Sequence, residues 1–217
     1  MNPNNVVVPK IRLSEPNLDQ HEIANITTAI SENNLTFGIY QKLFSEKLTD
    51  YLGVSNVILT NSGTSSLHML YKYVGISKDN LVIIPDITFA GTVFPVIYLG
   101  ANPTFIDVST DDYNINLEVL ESFLSNKRKK FKGKIWLIAV DIFGFPNRYA
   151  DLLSLSSKYD VKLILDAAES LGSKFNGKVP GNYIDNLATS FNGNKIITSR
   201  SEEHTSELQS RGLISYA

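Results

Sequence analysis

The chain has 217 residues, 43% hydrophobic and 19% charged, with a formal net charge of −2 and a pI near 5.9, a balance that gives no reason to expect nucleic acid or an anionic membrane as partner. The absence of cysteine removes disulfides and thiolate metal sites from consideration. No apolar run reaches membrane-spanning length and the polar start Met1-Asn-Pro-Asn-Asn5 has no signal-type apolar region, so a cytoplasmic globular domain with a substantial core is the default expectation.

Residues 1–16 are rich in Asn and Pro and read as an extended segment. Over 18–32, Ile23, Ile26 and Ile30 fall at i, i+3 and i+7, one face of an amphipathic helix, which Asn33-Asn-Leu-Thr-Phe-Gly38 breaks. A second helix over 40–52 puts Leu43, Phe44, Leu48, Tyr51 and Leu52 on one stripe, with Gly53 placed to end it. Strands and helices then alternate. Asn56 to Thr60 is a short strand; Asn61-Ser-Gly-Thr-Ser-Ser-Leu67 leads into a helix reaching Tyr73. The strand Asn80 to Ile84 is ended by Pro85, and Thr88 to Leu99 reads as a helix with Phe89, Val93 and Val96 or Ile97 on one face. Pro103 to Val108 is a strand and Asn116 to Asn126 a helix carrying Leu117, Leu120, Phe123 and Leu124. The almost wholly apolar strand Ile135 to Val140 precedes a helix from Arg148 to Tyr159. Val161 to Leu165 is a strand ending in Asp166, and a further strand leads to the polar loop Ser190-Phe-Asn-Gly-Asn-Lys195.

Strands apolar on both faces and separated by helices imply a parallel sheet covered on both sides. With right-handed crossovers this is an α/β fold: a doubly wound, mostly parallel sheet with helices on both faces. The cluster Lys127-Arg-Lys-Lys-Phe-Lys-Gly-Lys134 reads as a solvated helix end, where positive charge is favoured.

Arg200 to Ala217 breaks the pattern. Its sequence, RSEEHTSELQSRGLISYA, resembles the translation of a short-read sequencing adapter. It is set aside as a non-native tail, with the expectation that the natural protein was cut near residue 199. The expected organisation is thus an extended segment over 1–16, an incomplete domain over 17–199, and the tail over 200–217.

Ligands of open parallel sheets bind beyond the carboxyl ends of the strands. Asn61 to Ser65, Pro85 to Phe89, Asp141 to Gly144 and Asp166 to Glu169 all fall there. Ser62-Gly-Thr-Ser65 opens a helix, where free N–H groups and the Thr64 and Ser65 hydroxyls would meet an anion and Gly63 allows close approach; a plain N-cap is the alternative. Its spacing is neither a P-loop nor GxGxxG, which disfavours nucleoside triphosphates and dinucleotide-dependent oxidoreduction. Asp166, at the depth of a strand end, needs a cation or several donors, and Phe89 can stack on a flat ring or serve as a core aromatic. Asp166 and Lys195 are the pair that pyridoxal phosphate chemistry requires. A lysine amine forms the Schiff base, and a carboxylate keeps the pyridine nitrogen protonated so that the ring acts as an electron sink.

Ser62-Gly-Thr-Ser-Ser-Leu-His68, Pro85-Asp-Ile-Thr-Phe89, Gly100-Ala-Asn-Pro-Thr-Phe-Ile-Asp107, Asp166-Ala-Ala-Glu-Ser-Leu-Gly172 and Ser190-Phe-Asn-Gly-Asn-Lys195 resemble, in order and spacing, the motifs of the DegT/StrS sugar aminotransferases of fold type I, over nearly all of 10–199. The resemblance implies pyridoxal 5'-phosphate as cofactor, with Lys195 the Schiff-base lysine and later the general base of a 1,3-proton shift. Asp166 would pair with the pyridine nitrogen and Phe89 would stack on the ring. Gly63, Thr64 and Ser65, with Ser190, would hold the phosphate, and Glu169 would lie near the ring hydroxyl. The implied reaction moves an amino group from L-glutamate to a nucleotide-linked keto-deoxysugar. SFNGNK is similar to relatives that aminate C4 of UDP- or GDP-linked 4-keto-6-deoxy sugars. The family continues into a small C-terminal domain and forms a homodimer, so a chain ending here is expected to be inactive, with open apolar surface. Many relatives have His in place of Asp141 and a Gly in place of Tyr183 or Ile184, a departure that bears on substrate detail. A dehydratase branch of the family replaces the lysine by His, which Lys195 disfavours. A non-catalytic sensor that keeps the cofactor fold is the remaining alternative.

Overall fold

The computed structural model describes residues 18–34, 38–198 and 206–208. The extended segment expected over 1–16, part of the break at 33–38 and most of the tail over 200–217 lie outside the described residues.

Two helices lead in, α1 (Gln20–Ser31) and α2 (Ile39–Leu52). The first is nucleated by a capping box, in which the Asp19 carboxylate accepts from the His21 N–H and the Glu22 carboxylate accepts from the Asp19 N–H. The expected stripe Ile23, Ile26 and Ile30 is present but exposed. Helix α2 buries Leu48 and Leu52 and ends at Gly53 in the left-handed region (φ 68°), as its glycine implied.

Next come β1 (Ile58–Thr60), α3 (Gly63–Val74), β2 (Leu81–Pro85), α4 (Ala90–Tyr98), β3 (Pro103–Ile106), α5 (Leu117–Lys130), β4 (Ile135–Val140), α6 (Tyr149–Tyr159), β5 (Val161–Ala167), β6 (Leu187–Thr189) and β7 (Ser206–Leu208), with single 3₁₀ turns at Ile142–Gly144 and Pro180–Asn182. Strands β2 to β6 form one parallel sheet in the order β3-β2-β4-β5-β6. Alternation sends Ile83, Leu137, Leu163 and Leu165 to one face, against α2, α5 and α6. Val82, Ile84, Trp136, Ile138 and Ile164 face the other way, against α3 and α4. The doubly covered sheet is the one that the two-faced apolar strands imply.

Three readings change. Strand β1 stands outside the parallel sheet and pairs antiparallel with β7, Ile58 opposite Leu208 and Thr60 opposite Ser206. Part of the stretch set aside as a tail therefore pairs with the fold, because a backbone ladder makes little demand on sequence and an open strand edge accepts any extended segment. Helix α4 begins two residues later than Thr88, and Phe89 is its N-cap, 76% exposed, while Thr92, Pro95 and Val96 form the buried face. Phe89 is not a core aromatic. Finally, β3 is shorter than the expected strand, since Asp107 turns back to accept from Asn116, the N-cap of α5. The basic cluster does close α5, with Arg128 hydrogen-bonded to the Gly133 carbonyl and paired with Asp160.

Candidate active site

A cavity of about 300 Å³, at the small end of ordinary small-molecule sites, opens at the carboxyl ends of β4, β5 and β6. Ser62, Gly63, Thr64, Phe89, Asp141, Asp166, Glu169, Ser190 and Lys195 are among the residues that line it. Segments more than a hundred positions apart are thus brought together by the parallel register, in which Val140 lies opposite Asp166 and Asp166 opposite Ala188.

The α3 end of the cavity is a helix N-terminus. Ser62 caps it, its Oγ accepting from the Ser65 N–H at 3.1 Å. Gly63 and Thr64 thus present first-turn N–H groups that have no acceptor within the helix. Ser65, the remaining expected anion ligand, is not among the lining residues: its N–H goes to the cap and its hydroxyl lies 3.0 Å from that of Ser62. Gly91 lets α4 close on this corner, since a Cβ there would stand 2.7 Å from Thr64 Oγ1 and 3.0 Å from the Phe89 ring.

Asp166 is 5% exposed. Its Oδ2 accepts from Thr92 Oγ1 at 2.7 Å and its Oδ1 from the Ala168 N–H at 3.1 Å; Thr92 Oγ1 lies 2.7 Å from Thr88 Oγ1. Burial pushes the Asp166 carboxyl above its usual range, against the pull of Thr92, Ala168 and the Lys195 charge. Behind it, Tyr71 is fully buried, hydrogen-bonded to the Thr92 carbonyl, and held neutral by burial and by the Asp166 charge.

Lys195 follows β6 through a turn in which its N–H bonds the Asn192 carbonyl at 2.8 Å. Its Nζ donates to Glu169 Oε1 at 3.0 Å, with the lysine side chain 14% exposed. The other Glu169 oxygen accepts from the Phe143 N–H at 2.8 Å. Asp141, beside them, is 1% exposed and takes four donors, with the Asn147 N–H and Nδ2 on Oδ1 and Tyr149 OH and Ser170 Oγ on Oδ2. Burial raises its carboxyl too, and those donors hold it back.

These residues suit a flat, anionic, nitrogen-containing ring. Among the described residues, the buried Asp166 carboxylate has only neutral donors in direct contact and would gain a cation. The helix end suits a phosphate, and the Thr189 hydroxyl, in the cavity wall, is buried with no hydrogen-bond partner among the described residues. The sequence model of the DegT/DnrJ/EryC1/StrS aminotransferase family matches residues 16–201.

The chain belongs to this family.

It is an aminotransferase family that uses pyridoxal 5'-phosphate; a Bacillus subtilis relative, 33% identical over 87% of this chain and 49% of that protein, is named a putative pyridoxal phosphate-dependent aminotransferase. Among curated relatives, the UDP-4-amino-4,6-dideoxy-N-acetyl-beta-L-altrosamine transaminase of Campylobacter jejuni is 37% identical over 189 residues, 87% of this chain and 49% of that protein. The GDP-perosamine synthase of Caulobacter vibrioides is 29% identical over 88% of this chain and 50% of that protein. Among solved structures, Helicobacter pylori PseC, an aminotransferase of pseudoaminic acid biosynthesis, superposes with a TM-score of 0.78 at 26% identity, covering 87% of this chain and 50% of that one. The chain spans about half the length of the curated relatives it matches. The fold is accordingly that of the fold type I family members.

Thr88, Thr92, Tyr149, Ser170 and Thr189 belong to the site's surroundings and were not singled out from the sequence. Nothing in their type sets them apart. Only the folded contacts reveal them: Thr92 meets Asp166, 74 positions away, while Tyr149 and Ser170 meet Asp141.

Proposed function

We propose that the complete protein transfers an amino group from L-glutamate to a nucleotide-linked 4-keto-6-deoxy sugar, in the supply of precursors for a surface polysaccharide or glycan, and that it does so as a homodimer. Residues 17–199 would form the cofactor-binding part of that protein. The observation that carries this reading is that Asp166, Lys195 and the N-terminus of α3 line one cavity. The UDP- and GDP-sugar names of the relatives and the SFNGNK wording support the substrate class.

Pyridoxal 5'-phosphate, when bound, supplies a ring that accepts the electrons of the bond being broken. The N–H groups of Gly63 and Thr64 and the hydroxyls of Thr64 and Ser190 hold its phosphate, with Ser65 acting through the cap. Asp166 holds the ring nitrogen in its charged form, and the gain of that partner offsets the carboxylate's desolvation. Phe89, exposed at the cavity, would stack on the ring. Lys195 is the amine that carries the cofactor. To become nucleophilic its Nζ gives up a proton, and Glu169 Oε1 is the acceptor within reach. Lys195 Nζ would also be the group of this chain placed to take up and return a proton as a general base.

Adding pyridoxal 5'-phosphate to the complete protein should give a visible absorbance band that is absent in Lys195→Ala. L-glutamate should bleach it, and a UDP- or GDP-linked 4-keto-6-deoxy sugar should restore it. If the unsubstituted protein gives no band, the reading is wrong; a band that glutamate leaves untouched points to a sensor in place of a transaminase.

A further inference from the structure

Asp141 takes no part in the chemistry just described, yet it is among the most elaborately satisfied side chains at the site. A carboxylate buried among neutral donors is a costly way to hold a loop, and an amide would desolvate more cheaply. An amide oxygen, however, cannot accept what this carboxylate accepts: two contacts from Asn147 on one oxygen, and the Tyr149 and Ser170 hydroxyls on the other.

The partners show what is being held. Asn147 and Tyr149 anchor the start of α6, and Asn147 Nδ2 also bonds the Val140 carbonyl at 2.8 Å. Ser170 lies in the turn after β5 and directly follows Glu169. From the other side, the Asp141 N–H bonds the Asp166 carbonyl at 3.0 Å. Phe143, two residues on and in the left-handed region (φ 55°), puts its N–H on Glu169 Oε2. Ser173 Oγ donates to the Gly144 carbonyl at 2.7 Å, and a Cβ on Gly144 would come within 3.0 Å of the Glu169 carbonyl. Segments 141–144 and 166–173 are therefore stitched into one unit. Within it the Glu169 carboxylate has one oxygen tied down and the other turned to Lys195.

We propose that Asp141 is a positioning residue for Lys195. It acts through this stitched unit, by fixing the Ser170 turn so that Glu169 Oε1 meets the lysine Nζ. The proposal rests on the cofactor reading above. The titratable groups lining the cavity are Asp141, Asp166, Glu169 and Lys195, with Tyr71 behind Asp166, so only Asp141 and Glu169 need be varied.

The test is the pH titration of the visible band in the cofactor-loaded complete protein, compared among the unsubstituted protein, Asp141→Asn, Glu169→Ala and the double variant, with a thermal melt of each cofactor-free form. Asp141→Asn should move the titration midpoint by at least about half a pH unit at temperatures well below its melt. In the Glu169→Ala background the same substitution should move it no further, as expected for groups acting in series. Should Asp141→Asn fail to fold, Ser170→Ala removes one donor, keeps the charge, and should shift the midpoint in the same direction by less. A lower melting temperature with an unmoved midpoint would show a purely structural residue and overturn the proposal. So would a shift of equal size with and without Glu169. Absence of any band in the unsubstituted protein defeats the cofactor reading itself; a band with an unmoved midpoint defeats this proposal alone.

Discussion

Asp166 sets a conflict between folding and function that can be measured. Its carboxyl is raised in the folded protein, chiefly by burial. The folded state therefore holds its proton more tightly than the unfolded state does. Stability from this group is full below the ordinary carboxylate pKa and is lost as pH rises through the folded value. Asp141 contributes with the same sign. In the cofactor-free protein, Asp166→Asn should thus raise the melting temperature at neutral pH, an advantage that shrinks towards pH ~4. The same variant should weaken cofactor binding at least about tenfold, a loss of about 1.4 kcal/mol. Thermal melts across pH, set beside a spectroscopic cofactor titration, check both halves; a variant less stable at neutral pH contradicts the sign. Asp166 and Lys195 were legible in the sequence only together, through their register with the Ser62–Ser65 turn, Phe89 and the other motifs that resemble the family; either alone has commoner uses. The hydroxyls of Thr92, Ser170 and Tyr149 were not, because a Thr or Ser on a helix or turn looks the same whether it faces solvent or a carboxylate.

Elements were read best where burial was two-sided. Strands β2, β4 and β5 are near-continuous apolar runs: β4 has the expected bounds, β2 is shifted by one residue to Leu81–Pro85, and β5 runs two residues further than expected, to Ala167. The edges were harder: β1 and β6 have three residues each, too few to show a period, and β1 takes its partner from a stretch that sequence reading had set aside. The start of α4 was placed early because Phe89 fits a helical stripe by spacing, whereas the chain uses it as a cap beside the cavity. How elements meet could not be read at all. The turn Pro180–Asn182 packs on the end of α2 so closely that a Cβ on Gly181 would stand 2.2 Å from the Leu52 carbonyl oxygen. Backbone on backbone cannot yield as a flexible side chain can. Gly181→Ala should therefore cost about 2 kcal/mol or more, read as a lowered urea midpoint with an unchanged slope. An unchanged midpoint would show that the turn can slide off the helix.

At the scale of the whole molecule, the two sides of the sheet are unequal. The face under α2, α5 and α6 carries the larger core; the face under α3 and α4 is thinner, and it is the one beside the cavity. On the outer side of α4, Phe94, Ile97 and Tyr98 are exposed at i, i+3 and i+4, and Tyr98 meets His68 of α3 edge-on. An apolar stripe of this kind suits a partner surface, in keeping with the homodimer proposed for the complete protein. Ile97→Glu there should weaken self-association about tenfold or more in sedimentation experiments, without changing the visible band of the loaded monomer. Dimers of unchanged strength would place the contact elsewhere.

The ion pair between Lys195 and Glu169 has a consequence for how the protein comes to be charged with its cofactor. On the proposed reading the amine attacks only after Glu169 Oε1, 3.0 Å away, has taken its proton, so each molecule is competent only when that transfer has occurred. Loading then behaves as a gated event. Its speed would climb with cofactor concentration only until the proton transfer becomes the slower step, and beyond that point a richer supply no longer shortens the wait.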